Sequence, residues 1–416
     1  MSSLNVFPSL STLFRVFSLL SVLSVSSIAS LLYLYQGKLI YPSNLPAGAR
    51  TDTTNPSDFS LPFENLALKT PDGEKLQAWF IRPDGKGQER KMTVVMFQAN
   101  AGNIAHRLPL AAIFYKRLAV NVLMLSYRGY GLSTGSPNEA GIKIDAQVAL
   151  DWLKARLWPE SKNKREGIDF SSHNVILYGQ SLGGAVAIDA AVRNGNWVKG
   201  LILENTFLDI PSLIPSVLPP ARFFTWLCRE VWSSRTRLPQ LDKGVKVLFL
   251  SGKDDELVPP SQMRELYRVC RHKEGSGKEW SEFEEGTHND TCMKPGYFPT
   301  IASFLHRHFS HTTPLSREAL SRGFAGTKSN TSNVSGGSSG GGAGGEEEKI
   351  TRELEEEYGD DWEHVEGGAG ADEAGGQIEG MRRRVAGAGS KGPRDVVGEE
   401  IEEIQTEGVR RSRSDL

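Results

Sequence analysis

The residues best suited to chemistry form a Gly-Gln-Ser-Leu-Gly motif at positions 179–183. The motif follows the apolar run 175–178 and opens an alanine-rich stretch, 185–191. A serine between a strand and a helix lies on a sharp turn that exposes its hydroxyl, and small residues on either side prevent crowding. The N-terminus of the helix directs backbone N–H groups at developing negative charge. The pattern predicts that Ser181 is a nucleophile for acyl transfer.

A serine hydroxyl needs a general base, which in this strand–turn–helix arrangement follows the nucleophile in the chain. The chain has eight histidines. Six are set aside because they precede Ser181, lie in the C-terminal tail, or crowd the end of the folded part at a predicted last helix, 300–309. The seventh, His272, lies in a charged run. His288 remains, in a glycine-bearing loop directly after a predicted last strand, 279–283. We expect His288 to be the base and the histidines beyond 300 to lie on the solvated surface.

The acid that orients the base should follow the preceding strand, 247–250. Three consecutive carboxylates occur there, at Asp254, Asp255 and Glu256. Asp255 fits a Gly-x-x-Asp-x-x-Val-Pro pattern, in which the proline closes the loop, so we predict Asp255 as the acid. Asp254 is the alternative.

An oxyanion hole takes one backbone N–H from the residue after the nucleophile and a second from a loop after an earlier strand. These criteria select Leu182 and Asn100, the latter in the small-residue loop 97–103. An ordinary strand-to-helix turn is the alternative interpretation of that loop. We expect neither a cofactor nor a metal ion.

The segments that position these residues alternate between short apolar runs and longer helical patterns. Continuous apolar runs are typical of strands covered on both faces. The sequence therefore predicts an α/β fold with a mostly parallel sheet and helices on both faces. An Asp72-Gly73 hairpin precedes the parallel part. Residues 207–241 are apolar and rich in proline, and they are interpreted either as an ordinary helix with a ragged entry or as a small lid.

The N-terminal region carries 20 uncharged residues, 16–35, enough to span a bilayer as a helix. A cleaved signal peptide is the alternative, although the apolar run continues past the candidate cleavage site after Ala29. We predict an N-terminal segment (1–15), a transmembrane anchor (16–35), a linker (36–60), a catalytic domain (61–311) and a tail (312–416).

The tail is rich in Gly, Ser and charge, which predicts disorder, and its partner is unknown. A net charge of −2 gives no reason to expect nucleic acid as a partner. Three cysteines are too few for a disulfide framework, so we expect free thiols or at most one pair.

Several segments together resemble a known family: QANAGNIAHR, SYRGYGLSTGSPNEAGIKIDA, YGQSLGGAVAIDAA, LENTF, LFLSGKDDELVPP and GTHND. They are similar to the membrane-anchored α/β-hydrolases of the Bem-forty-six type, which include fungal proteins and the mammalian α/β-hydrolase-domain protein thirteen. The resemblance covers about residues 15 to 310. It implies an α/β-hydrolase fold, a single-pass anchor in type II orientation, and Ser181, Asp255 and His288 as nucleophile, acid and base. We expect the endoplasmic reticulum or another endomembrane as its location.

The resemblance also implies the chemistry. Related enzymes remove fatty acyl chains from protein cysteines, so we expect cleavage of an acyl ester or thioester at a membrane. One departure concerns the oxyanion loop, where the family usually has His-Gly and this chain has Gln98-Ala99. The alternative function is therefore a weakly active or inactive scaffold that acts in protein interactions at a membrane.

Overall fold

The computed structural model describes residues 9–51, 54–84, 90–159 and 172–309. The predicted tail, residues 312–416, lies outside the described residues, as do His311 and residues 1–8 of the predicted N-terminal segment. All three cysteines are described and free.

The core is an eight-stranded sheet in the order β1-β2-β4-β3-β5-β6-β7-β8. β1 and β2 form an antiparallel hairpin, β2 also pairs antiparallel with β4, and the other strands are parallel. The predicted α/β class with a mostly parallel sheet is confirmed. The strands are β1 Phe63–Lys69, β2 Lys75–Ile81, β3 Met92–Phe97, β4 Asn121–Leu125, β5 Asn174–Gln180, β6 Val198–Glu204, β7 Lys246–Gly252 and β8 Lys278–Phe283.

Helices cover both faces of the sheet, as the continuous apolar strands predicted. α3, α4 and α7 contribute to the apolar core on one face, and α2 and α8 to the core on the other. Strands β3 to β7 are buried almost throughout. Because they are parallel, their carboxyl ends lie at the same edge of the sheet. Among the described residues, the helices are α1 Leu10–Ile40, α2 Leu108–Lys116, α3 Glu139–Leu157, α4 Leu182–Asn194, α5 Ile210–Val217, α6 Ser234–Arg237, α7 Pro260–Val269 and α8 Tyr297–Phe309.

The N-terminal helix α1 contains the whole predicted anchor and extends it at both ends. It is long and apolar enough to cross a membrane. Its side chains are exposed or half-buried except for Gln36, which is buried. The last turns of α1 therefore contact the folded domain.

The segment 207–241, here named the insertion, is not a single crossover helix. It contains α5, a 3₁₀ helix (Pro219–Leu227), the short α6 and a second 3₁₀ turn (Leu238–Gln240). The prolines explain the interruptions, because proline removes a backbone donor and clashes with the preceding turn. The interpretation as an ordinary helix is wrong.

Two histidines that were set aside as candidate bases are largely buried, and for His308 this differs from the expectation. His308 was expected on the solvated surface, but its side chain is only 8% exposed and its Nε2 lies 2.6 Å from a Glu279 carboxylate oxygen. His272, in the charged run, is also buried, with Nε2 3.0 Å from the Asp242 carbonyl oxygen. The amphipathic pattern of α8 accounts for His308, since it places this side chain against β8.

Candidate active site

Ser181 lies on the sharp turn between β5 and α4. Its backbone has φ 54° and ψ −120°, a left-handed conformation that non-glycine residues rarely adopt. The turn is held on both sides: the Ser181 N–H donates to the Glu204 carbonyl (3.0 Å), and the Thr206 hydroxyl donates to the Ser181 carbonyl (2.6 Å). Neighbouring structure therefore stabilises the strained backbone that presents the serine.

The glycines of the motif are required by close backbone approach. A Cβ at Gly179 would lie 2.1 Å from the Gly183 carbonyl oxygen, and a Cβ at Gly183 would lie 2.1 Å from the Phe97 carbonyl oxygen. Both distances are far below van der Waals contact. The second contact also brings the start of α4 against the loop after β3, which contains the predicted oxyanion donor.

His288 and Asp255 are in direct contact. His288 Nδ1 lies 2.9 and 3.0 Å from the two carboxylate oxygens of Asp255, and both side chains are buried. Asp255 also accepts the backbone N–H groups of Leu257 (3.0 Å) and Val258 (2.7 Å), which fix its carboxylate. With Nδ1–H donating to Asp255, Nε2 of the neutral ring is left as a proton acceptor.

The two neighbouring carboxylates differ from Asp255 in burial. Asp254 and Glu256 are exposed, as expected for solvated side chains. Glu256 nevertheless accepts the backbone N–H of His288 at 3.1 Å. The imidazole ring of His288 therefore contacts the Asp255 carboxylate, whereas Glu256 bonds to the backbone of His288.

The turn at Ser181 is tied to the His288 loop through the residue before the serine. Gln180 Nε2 donates to the His288 carbonyl at 2.7 Å, and Asn205 Nδ2 donates to the same oxygen at 3.3 Å. The structure does not join Ser181 Oγ to His288 by a hydrogen bond. Hydrogen bonds between nucleophile and base are often long before substrate binds.

The predicted oxyanion loop packs against the chain that follows α1. The backbone carbonyl of Asn100 accepts a hydrogen bond from the Tyr130 hydroxyl (2.8 Å). Nδ2 of Asn100 donates to the Ile40 carbonyl (3.4 Å), and the Gly102 N–H donates to the Leu45 carbonyl (2.7 Å). Within the described chain, the backbone N–H groups of Leu182 and Asn100 have no protein acceptor. Both N–H groups are free to bind an oxyanion.

The Gln98-Ala99 departure lies in this loop, and the Gln98 side-chain amide is buried with no hydrogen-bond partner for Oε1 or Nε2 among the described residues. Both residues are buried, and the Gln98 carbonyl accepts the Tyr127 hydroxyl at 3.1 Å. Ala99 is not among the described residues with positive φ, so its backbone does not require glycine. The methyl group that alanine adds at this position is therefore accommodated.

Sequence reasoning missed a buried polar cluster behind His288. Glu204, at the end of β6, is fully buried and accepts the hydroxyls of Tyr178 and Tyr297. Gln180 Nε2 lies 3.4 Å from the same carboxylate. Burial raises the pKa of Glu204 above its usual range. The available signal was a carboxylate and two further polar residues, 204–206, directly after an apolar strand.

Glu204 is predicted to make stability depend on pH. The pKa of Glu204 in the folded protein is raised above the unfolded value of 4.5. The contribution of Glu204 to folding stability is therefore complete below the unfolded pKa and is lost as pH rises through the folded pKa. Glu204→Gln keeps the shape but cannot ionise. We expect the melting temperature of wild type to fall more than that of the variant between pH 4 and pH 8. Parallel melting curves over this range would contradict the assignment.

The chain is similar to several known proteins. No family model matches it. Protein bem46 of Schizosaccharomyces pombe is 44% identical over 276 residues, which cover 66% of this chain and 87% of that protein. The membrane protein YNL320W of Saccharomyces cerevisiae is 41% identical (66% and 90% covered), and the α/β hydrolase domain-containing protein WAV2 of Arabidopsis thaliana is 36% identical (67% and 90%).

Solved structures that align with this chain include hydrolases. An α/β hydrolase of Vibrio vulnificus aligns with a TM-score of 0.48 at 18% identity, covering 66% of this chain and 92% of that one. The esterase Pf2001 of Pyrococcus furiosus aligns with a TM-score of 0.46 at 18% identity (62% and 96% covered). With the strand order described above and relatives more than 40% identical over most of their length, the chain belongs to the Bem46 family of α/β hydrolases.

Proposed function

We propose that this protein is a serine hydrolase that cleaves ester or thioester bonds through an acyl-enzyme. The observation that carries the proposal is the buried Asp255–His288 pair. The side chain of Gln180 bonds to the His288 carbonyl and so links this pair to the strained turn that bears Ser181. An acid, a base and a serine on a strained turn at one sheet edge are the components that acyl transfer requires.

The proposed mechanism uses the tautomer that Asp255 selects. His288 Nε2 takes the proton of Ser181 as Oγ attacks the acyl carbonyl, and the charge on the carbonyl oxygen is held by the N–H groups of Leu182 and Asn100. The imidazolium, stabilised by Asp255, then gives the proton to the leaving alcohol or thiol. Water, deprotonated by the same nitrogen, then attacks the acyl-enzyme. The proton passes to Ser181 Oγ as the bond to the acyl group breaks and the carboxylic acid leaves.

We further propose that α1 anchors the enzyme in a membrane, in type II orientation at the endoplasmic reticulum or another endomembrane. Its length and composition support a single span. The yeast relative named as a membrane protein supports the same conclusion. An anchored hydrolase meets lipid or protein-bound acyl groups as its nearest substrates, which favours an acyl substrate at the membrane.

Labelling with a fluorophosphonate probe tests the proposed nucleophile. In membranes that contain the full-length protein, we expect wild type to be labelled and Ser181→Ala not to be. Ser261→Ala, at an exposed serine in the first turn of α7, is the matched control and should label like wild type. Equal labelling of wild type and Ser181→Ala would contradict the proposal. Failure of folded wild type to react would favour the scaffold.

A further inference from the structure

The insertion exposes an unusual share of the apolar surface of the domain. Outside α1, the described residues include seven exposed large apolar side chains, and four of these lie between positions 217 and 226. They are Val217, Leu218, Phe223 and Trp226, which are 52%, 43%, 67% and 76% exposed. Exposed apolar side chains concentrated in one short segment are typical of an interaction surface.

The insertion is bonded to the end of α1. Gln36, the buried residue of that helix, donates from Nε2 to the Leu227 carbonyl (3.3 Å) and accepts the Arg229 N–H at Oε1 (2.7 Å). The Arg229 guanidinium lies over the Tyr33 ring, 4.5 Å from its centroid. The exposed side chains at 217–226 therefore continue directly from the anchor.

The position of these contacts along α1 sets their depth. At about 1.5 Å per residue, the apolar stretch 16–35 spans roughly the 30 Å of a hydrocarbon core. Tyr33 and Gln36 then lie where that core ends, which is the level at which aromatic side chains concentrate in membrane proteins. Because Arg229 and Leu227 are bonded to these residues, the insertion lies at the same level.

The chemistry of the insertion fits the surface of a bilayer. Its most exposed large apolar residue, Trp226, already donates its indole N–H to the Phe223 carbonyl (3.2 Å), so the ring can enter lipid without leaving an unpaired donor. Residues 210–229 contain two arginines and no carboxylate. Such a segment is attracted to anionic headgroups while its aromatic rings enter the interface.

From these observations we propose that the insertion is a second membrane-contacting element, which seats Phe223 and Trp226 in the bilayer surface beside α1. The occupant of the exposed apolar surface is the lipid in which α1 is anchored. The inference rests on the proposed span of α1 and does not depend on the catalytic role of Ser181.

The same arrangement places the candidate active site close to the lipid. Thr206, directly before the insertion, donates to the Ser181 carbonyl, while Asn100 and Gly102 of the oxyanion loop bond to the carbonyls of Ile40 and Leu45. The residue before the insertion thus contacts the backbone of Ser181, and the predicted oxyanion loop contacts the end of α1 and the chain that follows it.

Quenching of tryptophan fluorescence by brominated lipid tests the proposal on the full-length protein. The protein is reconstituted in nanodiscs of phosphatidylcholine and phosphatidylserine, with or without dibrominated acyl chains. The segment 10–40 contains no tryptophan, so quenching does not report on α1. We expect a quenched fraction in wild type that is largely lost in Trp226→Phe, which preserves the apolar surface.

Trp280→Phe is the matched control. Trp280 is half-buried on β8 and packs on Phe249, so this variant should keep the quenched fraction of wild type. Incorporation into nanodiscs reports separately on α1, and fluorophosphonate labelling reports separately on Ser181. Equal quenching in wild type and Trp226→Phe would overturn the proposal. Absent quenching with a shift of Trp226→Phe from dimer to monomer would instead assign the surface to a second copy.

Discussion

Asp255→Asn is expected to lower kcat for ester hydrolysis by about 10⁴-fold while the protein remains folded. The asparagine keeps an oxygen to accept the Leu257 and Val258 N–H groups, so the loop should hold its shape. Its amide N–H, however, would face Nδ1 of His288 and favour the tautomer in which Nε2 carries the proton. That tautomer cannot take the proton of Ser181. The measurement is kcat with a soluble short-chain ester, together with the melting temperature.

The two adjacent carboxylates provide the controls for Asp255→Asn. Asp254→Asn should retain kcat close to wild type, because the Asp254 side chain is exposed. Glu256→Gln should have a small effect, since Glu256 contacts the His288 backbone and a glutamine oxygen can accept the same bond. A drop of several orders of magnitude in Asp254→Asn, with Asp255→Asn unaffected, would transfer the role of acid to Asp254.

The candidate site was predictable where local pattern and topology agree. The glycine spacing around Ser181 identifies a turn that only small neighbours allow, and the structure supplies the reason in the contacts of Gly179 and Gly183. Parallel strands end at the same sheet edge, so residues directly after β7 and β8 were expected near Ser181. The contact of Asp255 with His288 follows from that rule. The roles of these residues remain predictions.

Other features depend on contacts between distant parts of the chain and leave no local pattern. Gln36 and Arg229 are separated by 193 residues, and Tyr178 and Tyr297 by 119, yet each pair is in contact. The Glu204 cluster is one such case, because an apolar strand ending in a carboxylate does not indicate which hydroxyls will face it. The insertion is another: its prolines predicted an interruption, but its contact with α1 required the folded structure.

Arg128→Met is expected to lower the free energy of unfolding by about 3–5 kcal/mol, the cost of leaving a buried carboxylate without its cation. Arg128 donates from Nε (2.9 Å) and an η nitrogen (2.8 Å) to Asp145, which is completely buried in α3. Its guanidinium also pairs with Asp72 in the β1–β2 turn. The residue therefore links the hairpin, the loop after β4 and α3. Urea unfolding at pH 8 measures the effect.

The pH dependence and two further variants separate a lost charge pair from lost packing. Burial already raises the pKa of Asp145, and removing the guanidinium should raise that pKa further. The deficit of Arg128→Met should therefore shrink as pH falls from 8 to 5 and Asp145 becomes protonated. Adding Asp145→Leu should recover part of the loss, because no buried charge then remains. Arg264→Met, at an exposed arginine paired with Glu282, should cost less than about 1 kcal/mol. A deficit that stays constant from pH 8 to pH 5 would mean that Arg128 stabilises the fold by packing alone.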